Sequence, residues 1–415
     1  MSIFTSLYTG SSGLDAHGDA IDVVGDNIAN VSTVGFKESR ANFSDVIGGT
    51  LANGQSMGQG VTMSGTETLF GQGSMQSTGR ALDLGINGNG FFVVSGNVDG
   101  QQGQYYTRDG RISVDNTGTL VNPEGMKLQG YTIDPSGKMS QTPGDLVVGG
   151  QSPPNATTKA SMNVNIDSTS ATPPAWNPAD PSGTSNYSTS MTVYDSLGNA
   201  HRADVYFRNA GGGSVEWHAM VDGGELTGGT AGTPTEIASG TMAFDTSGNL
   251  TTQTTAASSA SFAGAKPNQS IAFDFTGSTE VAGSSAVNAT NQDGYAAGTL
   301  TDVTVGDDGT VTGQFSNGQS RDIARVALAT FASEDGLHAV GNAMYSATNS
   351  SGAALVDAAS AGGRGSIASG SLESSNVDLS SELVTMIAYQ RAFSANSKTV
   401  QTADQMLQEI VALKQ

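Results

Sequence analysis

Residues 3–31 have the sequence IFTSLYTGSSGLDAHGDAIDVVGDNIANV, and residues 379–411 have the sequence LSSELVTMIAYQRAFSANSKTVQTADQMLQEIV. In both stretches, apolar and small residues recur at alternating spacings of four and three, the 3.5-residue period of a coiled-coil seam. The pattern predicts a helix at each end of the chain. A globular enzyme has no evident need for paired terminal helices, whereas a subunit that inserts them among its neighbours does. The seam residues predicted to lie at subunit contacts are Ile3, Leu7, Leu14, Ile21, Val24 and Ile28, followed by Leu379, Leu383, Met386, Phe393, Val400, Leu407 and Val411.

Glycine weakens the first of these helices. Gly10, Gly13, Gly18 and Gly25 interrupt it, and each costs about 1 kcal/mol against alanine in a helix interior. The isolated helix is therefore expected to form poorly and to depend on packing partners for its stability.

Composition narrows the class of protein. The 415 residues include 56 glycines and no cysteine, and the formal net charge is −21. The absence of cysteine removes disulfides and thiolate chemistry, and the acidic balance argues against nucleic-acid binding, which needs clustered Lys and Arg. No apolar run is long enough to span a membrane, and the first residues do not have the pattern of a secretory signal.

Between the ends, the chain reads as short strands joined by turns. Phe91–Val94, Tyr105–Thr107 and Leu120–Val121 are separated by turns such as Arg108-Asp109-Gly110, which is typical of an antiparallel meander. Residues 149–292 open with a linker-like Gly149-Gly150 and contain further alternating segments, which favours a separate all-β unit.

The order of these regions predicts nested domains, each closed by both halves of the chain. The predicted fold class is mainly β with α-helical termini. Residues 1–33 with 377–415 are predicted to form a coiled-coil inner domain, 34–71 with 363–376 an irregular connecting region, and 72–148 with 293–362 an antiparallel β domain. Residues 149–292 are predicted to form a second, inserted outer β domain.

Several motifs resemble a known family. Residues 29–37, ANVSTVGFK, are similar to the N-terminal signature of bacterial flagellar rod and hook proteins, as are residues 78–84, 90–92 and 106–110. Residues 372–379, LESSNVDL, and 390–396, QRAFSAN, resemble the C-terminal signature. The residues taken as the family motif are Ala29, Asn30, Gly35, Phe36, Lys37, Asn376, Gln390, Arg391 and Asn396.

The middle of the chain separates two members of this family. Rod subunits are typically shorter and lack a large inserted outer β domain, whereas residues 194–201, YDSLGNAH, and 315–318, FSNG, look like the hook members. The resemblance therefore implies a structural subunit that self-assembles into the flagellar hook, the flexible joint between basal-body rod and filament. The alternative is a distal rod subunit, which would have no folded domain between residues 149 and 292.

The resemblance also implies partners and a location. The expected partners are further copies of the chain in a helical polymer, the distal rod protein, the hook cap, the hook–filament junction proteins and the flagellar type III export apparatus. The expected location is the hook of the flagellum, outside the cell, after export without a cleaved signal peptide. Neither nucleic-acid binding nor membrane insertion is expected.

Signals of catalysis are weak, and neither an enzymatic activity nor a cofactor is predicted. Residues 85–90, GINGNG, look like a phosphate-binding loop, but the strand at Phe91–Val94 follows them and a helix does not, so a tight turn between strands is predicted. His17, His201, His218 and His338 show no metal-ligand spacing. An enzyme or a sugar-binding β protein with accessory helices is the remaining alternative, and it would keep its activity without either end.

Overall fold

Two long helices lie near the ends of the chain, and strands occupy most of the sequence between them. The computed structural model describes residues 3–50, 56–98, 100–134 and 136–412. Helix α1 spans Ile3–Ala29 and helix α2 spans Leu379–Ala412. The mainly β fold with helical termini predicted from the sequence is confirmed. None of the helices in these ranges is both long enough and apolar enough to cross a membrane.

The strands of the first part of the chain are β1 (Ser39–Thr50), β2 (Ser56–Thr68), β3 (Met75–Ser77), β4 (Leu84–Asn87), β5 (Phe91–Val98), β6 (Gln101–Thr107), β7 (Ser113–Val114), β8 (Leu120–Val121), β9 (Lys127–Thr132) and β10 (Gly144–Asp145). The middle part contains β11 (Gln151–Ser152), β12 (Lys159–Asp167), β13 (Tyr187–Tyr194), β14 (Ala200–Gly211), β15 (Ser214–Asp222), β16 (Pro234–Phe244), β17 (Leu250–Ser258), β18 (Ala272–Asp274), β19 (Thr279–Val281) and β20 (Ala286–Gln292). The last part contains β21 (Gly298–Val305), β22 (Thr310–Phe315), β23 (Ser320–Thr330), β24 (His338–Gly341), β25 (Met344–Ser346), β26 (Leu355–Ala358), β27 (Ser366–Ser369) and β28 (Ser371–Glu373). Short 3-10 helices lie at Ser182–Thr184, Gly223–Glu225 and Glu334–Gly336.

The chain divides into two compact units. Unit 1 consists of Met1–Gly149, Asp302–Gln314 and Ser320–Gln415, and unit 2 consists of Gly150–Thr301 and Phe315–Gln319. Unit 2 therefore begins near the predicted start of the inserted domain, but it extends past residue 292 and includes a short segment beyond residue 314. The finer division into four nested regions stays a prediction.

Unit 2 is built from two sheets around one apolar core. One sheet is the antiparallel meander β13-β14-β15-β16-β17; in the other, β12 is the central strand, paired with β18, β19 and β20. Residues along β12 and β14 alternate between buried and more exposed positions, because successive side chains of a strand point to opposite faces. The buried faces supply Trp217, Phe207 and Phe275 to the core.

Unit 1 contains a larger sheet with strand order β22-β23-β9-β5-β6-β25-β24. Phe91 and Val93 of β5 are buried in it with Tyr106 and Tyr345, and Phe70 packs at the edge of this aromatic cluster. Two small antiparallel pairs, β27 with β4 and β28 with β3, bring residues 366–373 against residues 75–87. These pairings close unit 1 with strands from its first and last parts.

The turns between strands follow a recurring pattern. Asp115, Asp134, Asp195 and Asp245 each accept hydrogen bonds through the side chain from the backbone N–H groups two and four residues later. The residue three positions after each aspartate is a glycine with a φ of 81° to 83°, a conformation that glycine adopts without steric cost. This Asp-x-x-Gly turn is the physical basis of the regular turn spacing in the sequence. Of residues 85–90, residues 85–87 belong to β4 and residues 88–90 form the predicted turn between β4 and β5.

The connecting region predicted to be irregular is not irregular. Strands β1 and β2 form a long antiparallel ribbon within residues 34–71, and β27 and β28 occupy much of residues 363–376; residues 51–55 of the prediction lie outside the described residues. The ribbon escaped prediction because its glycines interrupt the alternation of polar and apolar residues. One of them, Gly60, has a φ of 114° and lies against Ser12 of α1, where a side chain would clash.

We predict that residues 152–298, the larger part of unit 2, can be removed as one piece. Gln151 of β11 pairs directly with Thr299 of β21, so joining these residues through an Asn-Gly turn, in place of 152–298, makes an ordinary two-residue hairpin. Unit 1 is expected to keep its thermal unfolding transition, measured by calorimetry, because its own core residues are all retained. Loss of that transition in the shortened chain would contradict the division into units.

Candidate assembly surface

Helices α1 and α2 pack against each other at very short range. A Cβ atom built at Gly10 would lie 2.8 Å from Val400 Cγ2, and one built at Gly13 would lie 2.5 Å from Asn396 Nδ2. These contacts pair the start of α1 with the second half of α2, so the two helices are antiparallel. Two of the four glycines that weaken α1 thus allow the close approach of its partner, and the packing offsets their conformational cost.

Polar and aromatic contacts hold the β1–β2 ribbon to this helix pair. Asn27 of α1 donates from Nδ2 to the Ser39 carbonyl at 2.8 Å and to the Glu382 carboxylate at 3.1 Å, and its Oδ1 accepts from the Ser39 N–H. The His17 ring lies 5.4 Å from the Phe43 ring and 5.9 Å from the Tyr389 ring, measured between centroids. His17 is therefore a packing residue of one chain.

Only part of the predicted seam of α2 contacts α1. Val400 of the seam takes part in this contact, together with Tyr389, Asn396 and the buried Ala403 on a neighbouring face. In contrast, Leu379, Leu383, Phe393 and Val411 of the predicted seam are 43%, 45%, 41% and 63% exposed. Because an α-helix has 3.6 residues per turn, a shift of one residue turns a seam by about 100°. Helix α2 therefore has two faces, one covered by α1 and one that is apolar and exposed.

The other predicted seam residues lie nearer to the helix interface. Val24 is 4% exposed. The half-buried seam residues are Leu7, Leu14, Ile21, Ile28, Met386, Val400 and Leu407, and the side chain of Ile3 lies outside the described part of the structure. Their burial at contacts between subunits stays a prediction.

Three of the sequence motifs meet at one buried carboxylate, that of Glu373. Glu373 Oε1 lies 2.6 Å from Lys37 Nζ, and Glu373 Oε2 lies 3.0 Å from the Arg108 guanidinium. The Glu373 and Lys37 side chains are fully buried and Arg108 is nearly so. Lys37 and Glu373 lie 336 residues apart along the chain, so the cluster joins the motifs at residues 29–37, 106–110 and 372–379.

The backbone completes this cluster. Lys37 Nζ donates to the Gly71 carbonyl at 2.7 Å, and the Gly73 N–H donates to Glu373 Oε1 at 2.9 Å. Arg108 donates to the Gly88 carbonyl at 3.0 Å, and its guanidinium carbon lies 5.2 Å from the centre of the Phe91 ring. Burial lowers the pKa of Lys37 from its ordinary value, while the Glu373 carboxylate opposes that shift. Removing one partner of a buried ion pair typically costs about 3–5 kcal/mol, because the other charge is left uncompensated.

The remaining motif residues have two kinds of environment. Gly35, with a φ of 70°, donates its N–H to the Glu373 carbonyl. The Asn376 side chain accepts a hydrogen bond from the Glu38 N–H and donates one to the Leu69 carbonyl. Asn30 donates through its side chain to Asp26, Ala29 ends α1, and Phe36 is half-buried. Gln390 and Arg391 are exposed on α2. Gly35 and Asn376 fix the path of the chain through these hydrogen bonds, whereas the exposed Gln390 and Arg391 side chains can contact another molecule.

The sequence analysis did not single out Arg108 and Glu373 as functional residues. The signal that could have found them is Lys37, a lone lysine between Phe36 and a strand, since a buried ammonium needs a carboxylate. The pairing spans most of the chain, so no local spacing identifies the partner. Elsewhere in the described ranges, no group of three or more His, Asp or Glu side chains is arranged to hold a metal ion.

Comparisons with known proteins place the whole chain in one family. Four family profiles match along the chain: "Flagella basal body rod protein" at residues 7–37, "Flagellar hook protein FlgE/F/G D1 domain" at 85–171, "Flagellar basal body protein FlaE D2 domain" at 165–295, and "Flagellar basal body rod FlgEFG protein C-terminal" at 368–413. The chain is 36% identical to the flagellar hook protein FlgE of Escherichia coli over 97% of its own length and 98% of the relative. It is 33% identical to the FlgE protein of Treponema pallidum over 99% of both chains. A crystal structure of Helicobacter pylori flagellar hook protein FlgE2 is similar with a TM-score of 0.46 at 14% identity, covering 70% of this chain and 98% of that one.

We predict that Glu373→Gln destabilises unit 1 by about 3–5 kcal/mol, because Lys37 and Arg108 would lose their common buried counter-ion. The matched control is Glu67→Gln, which breaks the pair with Arg40 on the exposed ribbon and is expected to cost at most about 1 kcal/mol. Chemical denaturation followed by circular dichroism measures both. Equal stability of the two variants would show that the buried cluster does not hold the motifs together.

Proposed function

The chain belongs to the flagellar hook protein family, and we propose that its two terminal helices carry the contacts through which it polymerises. It is a structural subunit of the bacterial flagellar hook, a part of the flagellum that lies outside the cell. Identity to hook proteins over nearly the full length favours the hook over the distal rod. The folded unit 2 is also the feature that a distal rod subunit was expected to lack.

One observation carries the proposal, the exposed apolar face of α2. Leu379, Leu383 and Ile387 follow one another at spacings of four and lie on one side of the helix, and they are 43% to 49% exposed. Water-exposed apolar stripes of this kind mark interaction surfaces. Burying each leucine or isoleucine side chain contributes about 1.5–3 kcal/mol, and in a polymer the surface that supplies this burial is another copy.

The packing of α1 supports the same proposal. Its covered sides face α2 and the ribbon, while Phe4 and Tyr8 are 70% and 61% exposed. A Cβ atom built at Gly18 or Gly25 would meet nothing within 4 Å. A helix whose uncovered side contains glycines gains stability when a neighbouring helix covers that side. Contacts between two different surfaces of identical subunits generate a helical filament when the rotation from one subunit to the next does not close a ring.

The proposal extends to the ends of the polymer and to its chemistry. The distal rod protein, the hook cap, the hook–filament junction proteins and the type III export apparatus are the proposed further partners. The chain is proposed to have no enzymatic activity, because its family is a structural one and its motif residues serve packing and ion pairing.

We predict that Leu383→Asp prevents polymerisation of the purified full-length chain. The aspartate would place a charge in the apolar layer between helices at a cost of several kcal/mol, while the free subunit would tolerate it on an exposed face. The control is Leu355→Asp, the same change at an exposed leucine of β26. Sedimentation and electron microscopy measure polymer formation. Normal polymers from the Leu383 variant would contradict the proposed contact face.

The open side of α1 has its own test. In the double variant Gly18→Ala, Gly25→Ala we expect higher helix content in the free subunit. Each alanine stabilises the helix by about 1 kcal/mol relative to glycine. Apart from the chain neighbours and the adjacent helix backbone, no atom of the described residues lies within 4 Å of either new methyl group. Polymerisation is expected to weaken, because the methyl groups fill space that the neighbouring helix needs. Gly13→Ala, whose methyl meets Asn396, is expected to lower helix content instead. If the double variant polymerises at least as well as the parent chain, no helix lies on this side.

A further inference from the structure

Four aspartates form a stripe along the exposed side of α1. Asp15, Asp19, Asp22 and Asp26 follow one another at spacings of four, three and four, so they lie on one side of the helix, and all four are exposed. The helix contains no Lys or Arg. Like charges three or four residues apart destabilise a helix, and carboxylates toward its C-terminal end oppose the helix dipole. The stripe therefore costs stability in the single chain.

None of these carboxylates is neutralised within the described part of the chain. The ion pairs there include none of the four aspartates. Asp26 accepts a hydrogen bond from the Asn30 side chain at 3.0 Å, which leaves its negative charge in place. A partner that brings cations to this side would remove the repulsion.

Helix α2 presents two such cations on its open side. Arg391 and Lys398 are exposed, and they are the only charged residues between Leu383 and Ala403. Neither takes part in an ion pair within the described residues. They are seven positions apart in the sequence, which places them on the same side of the helix and about 10.5 Å apart along its axis.

The same seven-residue interval recurs in the aspartate stripe. Asp15 and Asp22 are seven residues apart, and so are Asp19 and Asp26. On each helix the charges lie on the same side as exposed apolar residues, which are Phe4 and Tyr8 on α1 and Leu383 and Ile387 on α2. A helix from another copy that lies along either open side would therefore cover exposed apolar residues as well as charges.

We propose that the open side of α1 in one copy docks on the open side of α2 in a second copy, with Arg391 and Lys398 facing two aspartates seven residues apart. The inference rests on the proposed function and names the surfaces that meet. Antiparallel helices, as within one chain, place Arg391 opposite Asp22 and Lys398 opposite Asp15, or the same pair one turn along, opposite Asp26 and Asp19. Because the two surfaces differ, each copy can bind one neighbour through α1 and another neighbour through α2. The contact can therefore repeat from copy to copy along the polymer.

Charge reversal with compensation tests the proposal. In the full-length chain, Arg391→Glu with Lys398→Glu is expected to raise the critical concentration for polymerisation about tenfold or more, because two attractions become repulsions. Adding either Asp15→Lys with Asp22→Lys, or Asp19→Lys with Asp26→Lys, is expected to restore polymerisation for the set that forms the contact. The control is Lys138→Glu with Lys266→Glu, which makes the same change in net charge at exposed residues elsewhere and should shift the critical concentration by less than about twofold.

A second measurement does not depend on the folding of the reversed variant. The chain has no native cysteine, so Asp22→Cys or Asp26→Cys, combined with Arg391→Cys, introduces a defined pair. Under oxidation, polymers of one of these variants should give a ladder of disulfide-linked species on a non-reducing gel. Asp22→Cys with Met406→Cys, whose second site lies on another exposed part of α2, should give none.

The outcomes separate this proposal from the general one. Failure of both compensating sets to restore polymers, together with ladders from neither cysteine pair, overturns the charged contact, even if Leu383→Asp blocks polymerisation and so supports the helical interface. Polymers of the parent chain that tolerate Leu383→Asp would instead overturn the proposed function. Rescue by one compensating set, or a ladder from one pair, supports the contact and identifies its register.

Discussion

The arrangement of unit 1 depends on the buried carboxylate of Glu373. Its two oxygens pair with Lys37 from the segment after α1 and with Arg108 from the β sheet, while its backbone carbonyl accepts the Gly35 N–H. A buried carboxylate must be paired, since burying an isolated charge is very costly. Neither cation can therefore be released without a penalty. This requirement fixes the path of the chain just after α1 ends and just before α2 begins.

The helix pair above this cluster is held by contacts of an unusual kind. Glycines at positions 10 and 13 let α2 approach closely, and Asn27 links α1, the ribbon and α2 through hydrogen bonds. The larger apolar residues of α2, such as Leu383 and Phe393, are left outside this interface. The most exposed apolar residues of α2 thus lie outside its contact with α1, in which Gly10, Asn396 and Val400 take part.

Local patterns predicted the strands and the helices, and long-range pairing decided the rest. Alternation along Phe91–Val94 and the Asp-x-x-Gly turns are visible in the sequence because a strand's period and a turn's geometry depend on neighbours only. The ribbon β1–β2 was missed because its glycines, needed against α1, hide the alternation. The face of α2 that α1 covers could not be predicted, because hydrophobic periodicity cannot distinguish a seam within one chain from one between chains. The partners of Lys37 could not be assigned, since they lie 34 and 336 residues away.

The net charge of each copy constrains how such subunits can associate. At −21 per chain, copies repel one another over distances longer than a direct contact. Salt at physiological strength screens charges separated by more than about 8 Å, so the general repulsion is suppressed while pairs in direct contact retain more of their attraction. A surface that combines apolar burial with local opposite charges is then sufficient for association. The few cations of this chain matter most where they are concentrated, and on α2 both described cations lie on the open side of the helix.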